Sequence, residues 1–539
     1  MLPATPYHTF LRKAQSRPEL AFMMAPKSAG LPYAPDGFRI SYGEAAARVD
    51  PLRKAYAGAG YGHGSRVALI LQNRPEFLFH WLALNAIGAS IVPVNADMRA
   101  DELRYQMEKS RAELMVALPE FDALVAKACS DMPRCHPDGP VPNARKPRAA
   151  AKGQGDDECA LLFTSGSTGM PKACILSNFY FMNVADWYVS GEGMGGLAED
   201  CEVSLTPLPF FHMNALGCTA VGMMLVGGCI VALDRFSASR WWQSVADSGA
   251  TIVHALGVIP AILLQLPPSP AERAHKARFA FSPGVDAAHK VEFERRYGLP
   301  ILEGWAMTET GGTGVTCTYG VDGPEGRRFI GVARTGMDWR LVDDEGRDVP
   351  VGTAGELWVR AAGDDPRRGF FSGYLGDEKA TAEAWAGGWF HTGDVMSADD
   401  EGRLFFVDRK KSIVRRSGEN ISALEVEMAL IADPAVGSAA VAPVEDSTRG
   451  EEVFAFVVTE GATDADAARA LQARLAAKLS YHKLPGWIAY ADALPVSSTN
   501  KLLRGVLKTD AAKAVAGKHA FDLRGEKAAL RKARQEEQQ

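Results

Sequence analysis

A chain of 539 residues, 47% hydrophobic and 23% charged, is too long for one hydrophobic core and has the balance of a soluble globular protein with two or more domains. Its net charge of −6 argues against nucleic acid as a partner. Its eight cysteines include no Cys-x-x-Cys pair, so neither a zinc site nor a disulfide framework is indicated, and a reducing cytoplasm fits.

The stretch Met1 to Arg17 lacks the long apolar region and small-residue cleavage site of a secretory signal. Between residues 40 and 125, helix-like and strand-like stretches alternate: Tyr42 to Gly58 reads as helix, Arg66 to Leu71 as strand, Glu76 to Ile87 as helix, Ser90 to Val94 as strand. This βα rhythm predicts a mainly parallel sheet with helices on both faces. Gly58, Gly60, Gly62 and Gly64 follow a helix and precede a strand, the reverse of a dinucleotide fingerprint, and read as a helix stop and loop. Residues 132 to 157, rich in proline and glycine, predict an irregular, mobile surface connection.

That connection leads into the apolar run Cys159 to Phe163, read as a buried strand, and then into Thr164-Ser165-Gly166-Ser167-Thr168-Gly169-Met170-Pro171-Lys172. Glycines that let backbone N–H groups approach anionic oxygens, four hydroxyls and a lysine make this a candidate polyphosphate cradle. It is not the common P-loop, because Pro171 precedes the lysine and Ala173 follows it. An ordinary glycine- and serine-rich turn is the competing reading.

Ala215 to Leu233 is uncharged and nearly long enough to span a membrane, but Gly217, Gly222, Gly227 and Gly228 break it into a buried helix and a strand, Cys229 to Leu233. No stable membrane insertion is expected. The βα rhythm resumes through Ile252 to His254 and Phe279 to Phe281. Beyond about residue 330, short strands and tight turns predict a β-rich subdomain, with strands at Asp338 to Val342 and Glu356 to Arg360.

From Ala423, helix Ala423 to Ile431, strands Ser438 to Pro443 and Glu452 to Val458, and helix Ala465 to Leu479 suffice for a separate domain. Glu526 to Gln539 reads as a solvated, fraying helix. The expected fold class is α/β: a large N-terminal domain of mostly parallel βα sheets plus a β-rich subdomain over residues 1–409, a small α+β C-terminal domain over 410–515, and a tail over 516–539. No sequence pattern marks an oligomer interface.

Six segments in this order make the chain resemble the adenylate-forming superfamily of acyl-CoA synthetases, luciferases and peptide-synthetase adenylation domains. They are Thr164 to Lys172, Pro209-Phe210-Phe211-His212, Glu303-Gly304-Trp305-Ala306-Met307-Thr308-Glu309, Trp389 to Asp394, Asp408-Arg409-Lys410-Lys411 through Gly418-Glu419-Asn420, and Lys501. The resemblance implies an AMP-forming acid:CoA ligase using ATP, Mg²⁺ and CoA on a small-molecule carboxylic acid. Such an enzyme attacks the α-phosphate of ATP with the carboxylate, and charged, preorganised groups around that phosphorus lower the barrier.

By the same resemblance, Thr164, Ser165, Gly166, Ser167, Thr168, Gly169 and Lys172 hold the β- and γ-phosphates and Glu309 holds Mg²⁺. Thr308 bonds the α-phosphate, and Lys501 bridges it to the substrate carboxylate. Trp305 lies against adenine, with Gly284, Glu303 and Gly304 in the same nucleotide site. Asp394 accepts from both ribose hydroxyls and Arg409 donates to that sugar. Lys411 is the hinge of a mobile C-terminal domain. Rotation about it brings Gly418, Glu419 and Asn420 into the thiol tunnel, and His212 gates between that tunnel and the acyl pocket.

Asn500 replaces a usual glycine before Lys501 and tolerates the same backbone, and Arg415 stands where luciferases carry a second lysine, which disfavours light-emitting oxidation. An adenylation enzyme loading a carrier protein and a non-catalytic nucleotide- or acyl-binding homologue remain the alternatives. The resemblance also implies pocket walls at Phe210 to Gly217, Ser282 to Val285 and Trp305 to Gly312, which here offer Met213, Asn214 and Met307 and allow an apolar acid with one polar contact. The run as a whole is more similar to bacterial carnitine/crotonobetaine-type CoA ligases than to long-chain fatty acid ligases.

Overall fold

Strand Arg66–Ile70 is buried from Val67 onward, as a parallel strand covered on both faces must be. It pairs in parallel with Ser90–Pro93 and Leu114–Ala117 at the heart of a seven-stranded sheet. The sheet runs Gly373–Tyr374, Lys172–Ser177, Glu158–Thr164, Ser90–Pro93, Arg66–Ile70, Leu114–Ala117, Arg134–Cys135, and only its first two pairings are antiparallel. The computed structural model describes residues 3–164, 171–191, 193–256, 258–285, 287–319, 321, 323–324, 328–343, 345–409, 413–417, 419–495, 502 and 504–537.

A second sheet orders Ile301–Leu302, Phe279–Phe281, Ile252–His254, Val203–Thr206, Cys229–Ala232, Ala21–Ala25 and Phe38–Ser41, parallel throughout except for its last pair. Helix Tyr42–Gly58 starts where Ser41 and Glu44 exchange side-chain and backbone hydrogen bonds, a capping box. Helix Pro75–Asn85 is buried along nearly its whole length, which is why its sequence lacks an amphipathic period.

The third sheet is antiparallel and joins Gly304–Trp305, Thr316–Cys317, Phe329–Ala333, Leu404–Arg409, Phe390–Ala398, Gly355–Ala361 and Met337–Val342. The fourth contains Ile413–Arg416, Glu419–Ser422, Ser438–Asp446, Gly450–Val458, Trp487–Tyr490 and Phe521–Asp522. Its helices Ala423–Ile431 and Ala465–Leu475 pack on a core of its own that includes Val441, Val457 and Leu471.

Three expectations differ from the structure. The 132–157 connection is tied down by backbone hydrogen bonds from Ala144 to Ala59, from Arg148 to Gly60 and from His63 to Ala149, so it is not a mobile loop. A side chain at Gly62 would collide with the Ala149 carbonyl, and this close approach accounts for that glycine. The segment after His212 begins as a π-helix, Asn214–Val221, before Gly222–Val226 and strand Cys229–Ala232.

The tail is the third. Phe521–Asp522 pairs with Trp487–Tyr490, and helix Arg524–Glu537 buries Lys527 at 1% exposure, so it is docked rather than solvated. Lys527 Nζ donates to Glu452 Oε1 at 2.6 Å and to the His482 and Leu484 carbonyls. One buried cation in a helix otherwise rich in exposed charge leaves almost no mark on composition.

Candidate active site

Strands Glu158–Thr164 and Lys172–Ser177 form a hairpin whose last pair is Thr164 with Lys172, so the two end residues of the predicted cradle lie side by side. The turns after Gly304–Trp305 bring Thr308 and Glu309 to the same place. Glu309 is buried, and its Oε1 accepts from the Tyr374 hydroxyl at 3.0 Å and from Thr164 Oγ1 at 3.3 Å. Lys172 Nζ lies 4.6 Å over the Tyr374 ring. One tyrosine thus carries a carboxylate on its hydroxyl and an ammonium on its face. Burial, and then the neighbouring Glu309 charge, push the Tyr374 hydroxyl far above the usual phenol range, so it stays a donor.

Thr164, Lys172, Thr308 and Glu309 line a cavity of about 1670 Å³ together with His212, Gly284, Gly304, Trp305 and Glu419. At one end Trp305 Nε1 donates to Asp394 Oδ2 at 2.8 Å, and the Arg415 guanidinium stands 4.0 Å from Oδ1. Asp394 was expected to turn both oxygens to a ribose, but the indole engages one of them. Arg409 pairs with Asp394 across adjacent strands. Glu303 lies beneath the wall, where its carboxylate accepts from the Gly284 and Val285 N–H groups at 2.9 and 3.1 Å. Burial outweighs those two donors and raises its carboxyl to about 7. Glu303 therefore shapes the Gly284 loop and does not itself line the cavity.

From the C-terminal sheet, Glu419 comes within 4.0 Å of His212 Nε2. Burial alone would raise its carboxyl, but His212, His482 and Lys483 bring it down to about 2. Lys483 Nζ bonds Glu102 at 2.8 Å and Glu425 at 2.6 Å, and Ser480 Oγ donates to Glu102 at 2.6 Å. Ser165, Gly166, Ser167, Thr168, Gly169, Lys411, Gly418 and Lys501 lie outside the described residues, as do the side chains of Arg409 and Asn420.

Sequence reasoning missed Tyr374, the Glu102–Lys483 contact, and His254 with Tyr188 behind Asn214. Each depends on pairing across more than sixty residues or on burial inside an apolar run, neither of which leaves a periodic signal.

The AMP-binding enzyme family matches residues 10–375, and its C-terminal domain family matches residues 425–501. The chain belongs to the AMP-binding enzyme family. It is 30% identical over 498 residues to a crotonobetaine/carnitine-CoA ligase of Citrobacter koseri, covering 87% of this chain and 93% of that protein. A ligase of the same name from Escherichia coli O157:H7 is 29% identical over 496 residues.

Among solved structures, a malonyl-CoA ligase ternary product complex with methylmalonyl-CoA and AMP superposes with a TM-score of 0.73 at 26% identity, over 89% of this chain and 97% of that one. An o-succinylbenzoate CoA synthetase from Bacillus subtilis shares the fold, with a TM-score of 0.80 at 23% identity over 94% and 99% of the two chains. As an AMP-binding enzyme of the acid-thiol ligase type, the chain has the family's AMP-forming acid:CoA ligase activity, and its substrates are a carboxylic acid, ATP and CoA. Among the described residues no helix is long and apolar enough to cross a membrane.

Proposed function

We propose that this acid:CoA ligase works on one face of its cavity at a time. The carboxylate attacks the α-phosphorus of ATP, pyrophosphate leaves, and the acyl-AMP so formed is attacked at its carbonyl by the CoA thiol, with AMP leaving. In the first step Lys172 and the hairpin loop cradle the leaving phosphates, Thr308 bonds the α-phosphate, and Lys501 bridges it to the substrate carboxylate. Trp305 meets adenine and Asp394 meets ribose, with Arg409 beside it. In the second step rotation about Lys411 presents Gly418, Glu419 and Asn420 to the thiol, and His212 gates its entry.

Glu309 fits Mg²⁺. The Thr164 and Tyr374 hydrogen bonds both fall on Oε1, and no cluster of three or more metal-binding side chains exists among the described residues, so phosphate oxygens and water would complete a hard-cation site. Bound there, Mg²⁺ supplies neutralisation of the charge on the transferring phosphates.

The observation that carries this reading is the grouping of Lys172 and Glu309 on Tyr374, with Trp305 and Glu419 on the same cavity. Its test is pyrophosphate release with ATP, Mg²⁺ and short, medium, aromatic or trimethylammonium-bearing acids, each with and without CoA. Acid-dependent release, with thioester formed only when CoA is present, is the expected result. Release without thioester would replace CoA by a carrier protein, and no release from any acid would leave a non-catalytic binding protein.

A further inference from the structure

Asn214 is the first residue of the π-helix and lines the cavity beside Trp187, Met213, Cys218, Leu256 and Phe281, none of them charged. Its Oδ1 is 2.8 Å from His254 Nδ1, and His254 Nε2 is 2.6 Å from the Tyr188 hydroxyl. His254 and Tyr188 are both fully buried. Burial lowers the His254 imidazole to about 3, so the ring is neutral and only one of its nitrogens carries a proton.

The chain of donors then has one consistent direction. The Tyr188 hydrogen needs an acceptor and finds Nε2, which leaves the proton on Nδ1 and donates it to Asn214 Oδ1. The opposite tautomer would set the bare Nδ1 lone pair against Asn214 Oδ1, two acceptors 2.8 Å apart, whatever the Tyr188 hydroxyl does with its second neighbour, Ser204. With Oδ1 engaged, the Asn214 NH₂ group is the end turned away from His254, and it has no partner among the described residues.

The framework holding this relay is close-packed. Helix Asn178–Val189 carries both Trp187 and Tyr188, and a side chain at Gly217 of the π-helix would stand 2.7 Å from Val184 on that helix. The π-helix and this helix therefore approach too closely for the relay to shift without repacking.

We propose that Asn214 is a specificity-determining residue whose NH₂ donates to an acceptor oxygen on the body of the carboxylic acid, with His254 and Tyr188 as positioning residues. The acid is then compact, with an apolar or aromatic body and one hydroxyl or carbonyl oxygen beyond the carboxylate. This assignment rests on the ligase reading of the cavity. A site built to bond an oxygen discriminates strongly against an analogue that lacks it, because its own donor is left unpaired.

The test is pyrophosphate release from matched acids that differ by one oxygen: 3-hydroxybutanoate against 3-methylbutanoate, 4-oxopentanoate against 4-methylpentanoate, 4-hydroxybenzoate against 4-methylbenzoate, and carnitine against its deoxy analogue. The oxygenated member of at least one pair is expected to be preferred about tenfold or more in kcat/KM. Asn214→Leu should bring that ratio to one or below. Tyr188→Phe, which keeps the ring and frees the tautomer, should reduce the ratio by raising KM for the oxygenated acid while sparing the other member. A residue of purely structural importance would lower both members alike. Equal use of both members in every pair, or a ratio unmoved by Asn214→Leu, overturns the proposal while the ligase reading stands; release from no acid at all overturns the ligase reading and this assignment with it.

Discussion

Glu309 stands at the point where charge, burial and hydrogen bonding converge. Tyr374 and Thr164 both address Oε1, so the carboxylate is held in one orientation, and replacement by the isosteric amide removes the charge of the proposed Mg²⁺ ligand while keeping its shape. Glu309→Gln is expected to raise the Mg²⁺ concentration for half-maximal pyrophosphate release and to lower turnover by about a hundredfold. An unchanged metal titration would remove Glu309 as the ligand. Lys172 and Glu309 were legible because their neighbours in sequence are distinctive. Tyr374, which links the two, was not, because it reaches them only through strand Gly373–Tyr374 pairing with strand Lys172–Ser177. His254 was hidden more deeply, as a polar residue ending an apolar strand whose periodicity gives no sign that its ring is needed.

At the scale of elements, helices Tyr42–Gly58 and Ala423–Ile431 were read to their ends, the first opening on the Ser41–Glu44 capping box. The misread ones are those whose conformation is imposed from outside. The π-helix packs closely against helix Asn178–Val189, and the connection is pinned by backbone partners far along the chain. The docked tail is the third such case. Lys527 is held by Glu452, which Arg416 also engages at 2.7 Å, and burial outweighs the Glu452 attraction to lower the ammonium to about 7. Removing one partner from a buried pair leaves the other poorly compensated, so Lys527→Met should destabilise the C-terminal region by about 3 kcal/mol. Chemical denaturation of the whole chain would detect this as an early transition. The exposed Lys532→Met is the control, and equal behaviour of the two would mean that the tail adds nothing to the fold.

Across the whole molecule, hydrogen bonds and ion pairs among the described residues link the C-terminal region to the body. Lys483 and Ser480 converge on Glu102, Arg99 Nε donates to the Leu479 carbonyl at 2.6 Å, and Glu419 faces His212. Polar contacts of this kind can be broken and remade more readily than an apolar interface of equal size, which suits the domain rotation proposed above. Burial would raise the Glu102 carboxyl, but Lys483, Ser480 and the Arg99 N–H together lower it. A depressed carboxylate stabilises the contact above its ordinary titration range and loses that contribution as pH falls through the lowered value, so the contact holds at neutral pH and weakens only in acid. Glu102→Gln keeps an acceptor for the Arg99 N–H but removes the charge that Lys483 answers. If this arrangement serves thioester formation, as Glu419 beside His212 argues, the variant should slow thioester formation from supplied acyl-AMP about tenfold and leave single-turnover adenylation unchanged or faster. Lys483→Met should act in the same direction, and the double variant should cost less than the two single effects combined, because both remove one interaction. Equal slowing of both half-reactions would mean that the contact supports the fold and not the alternation.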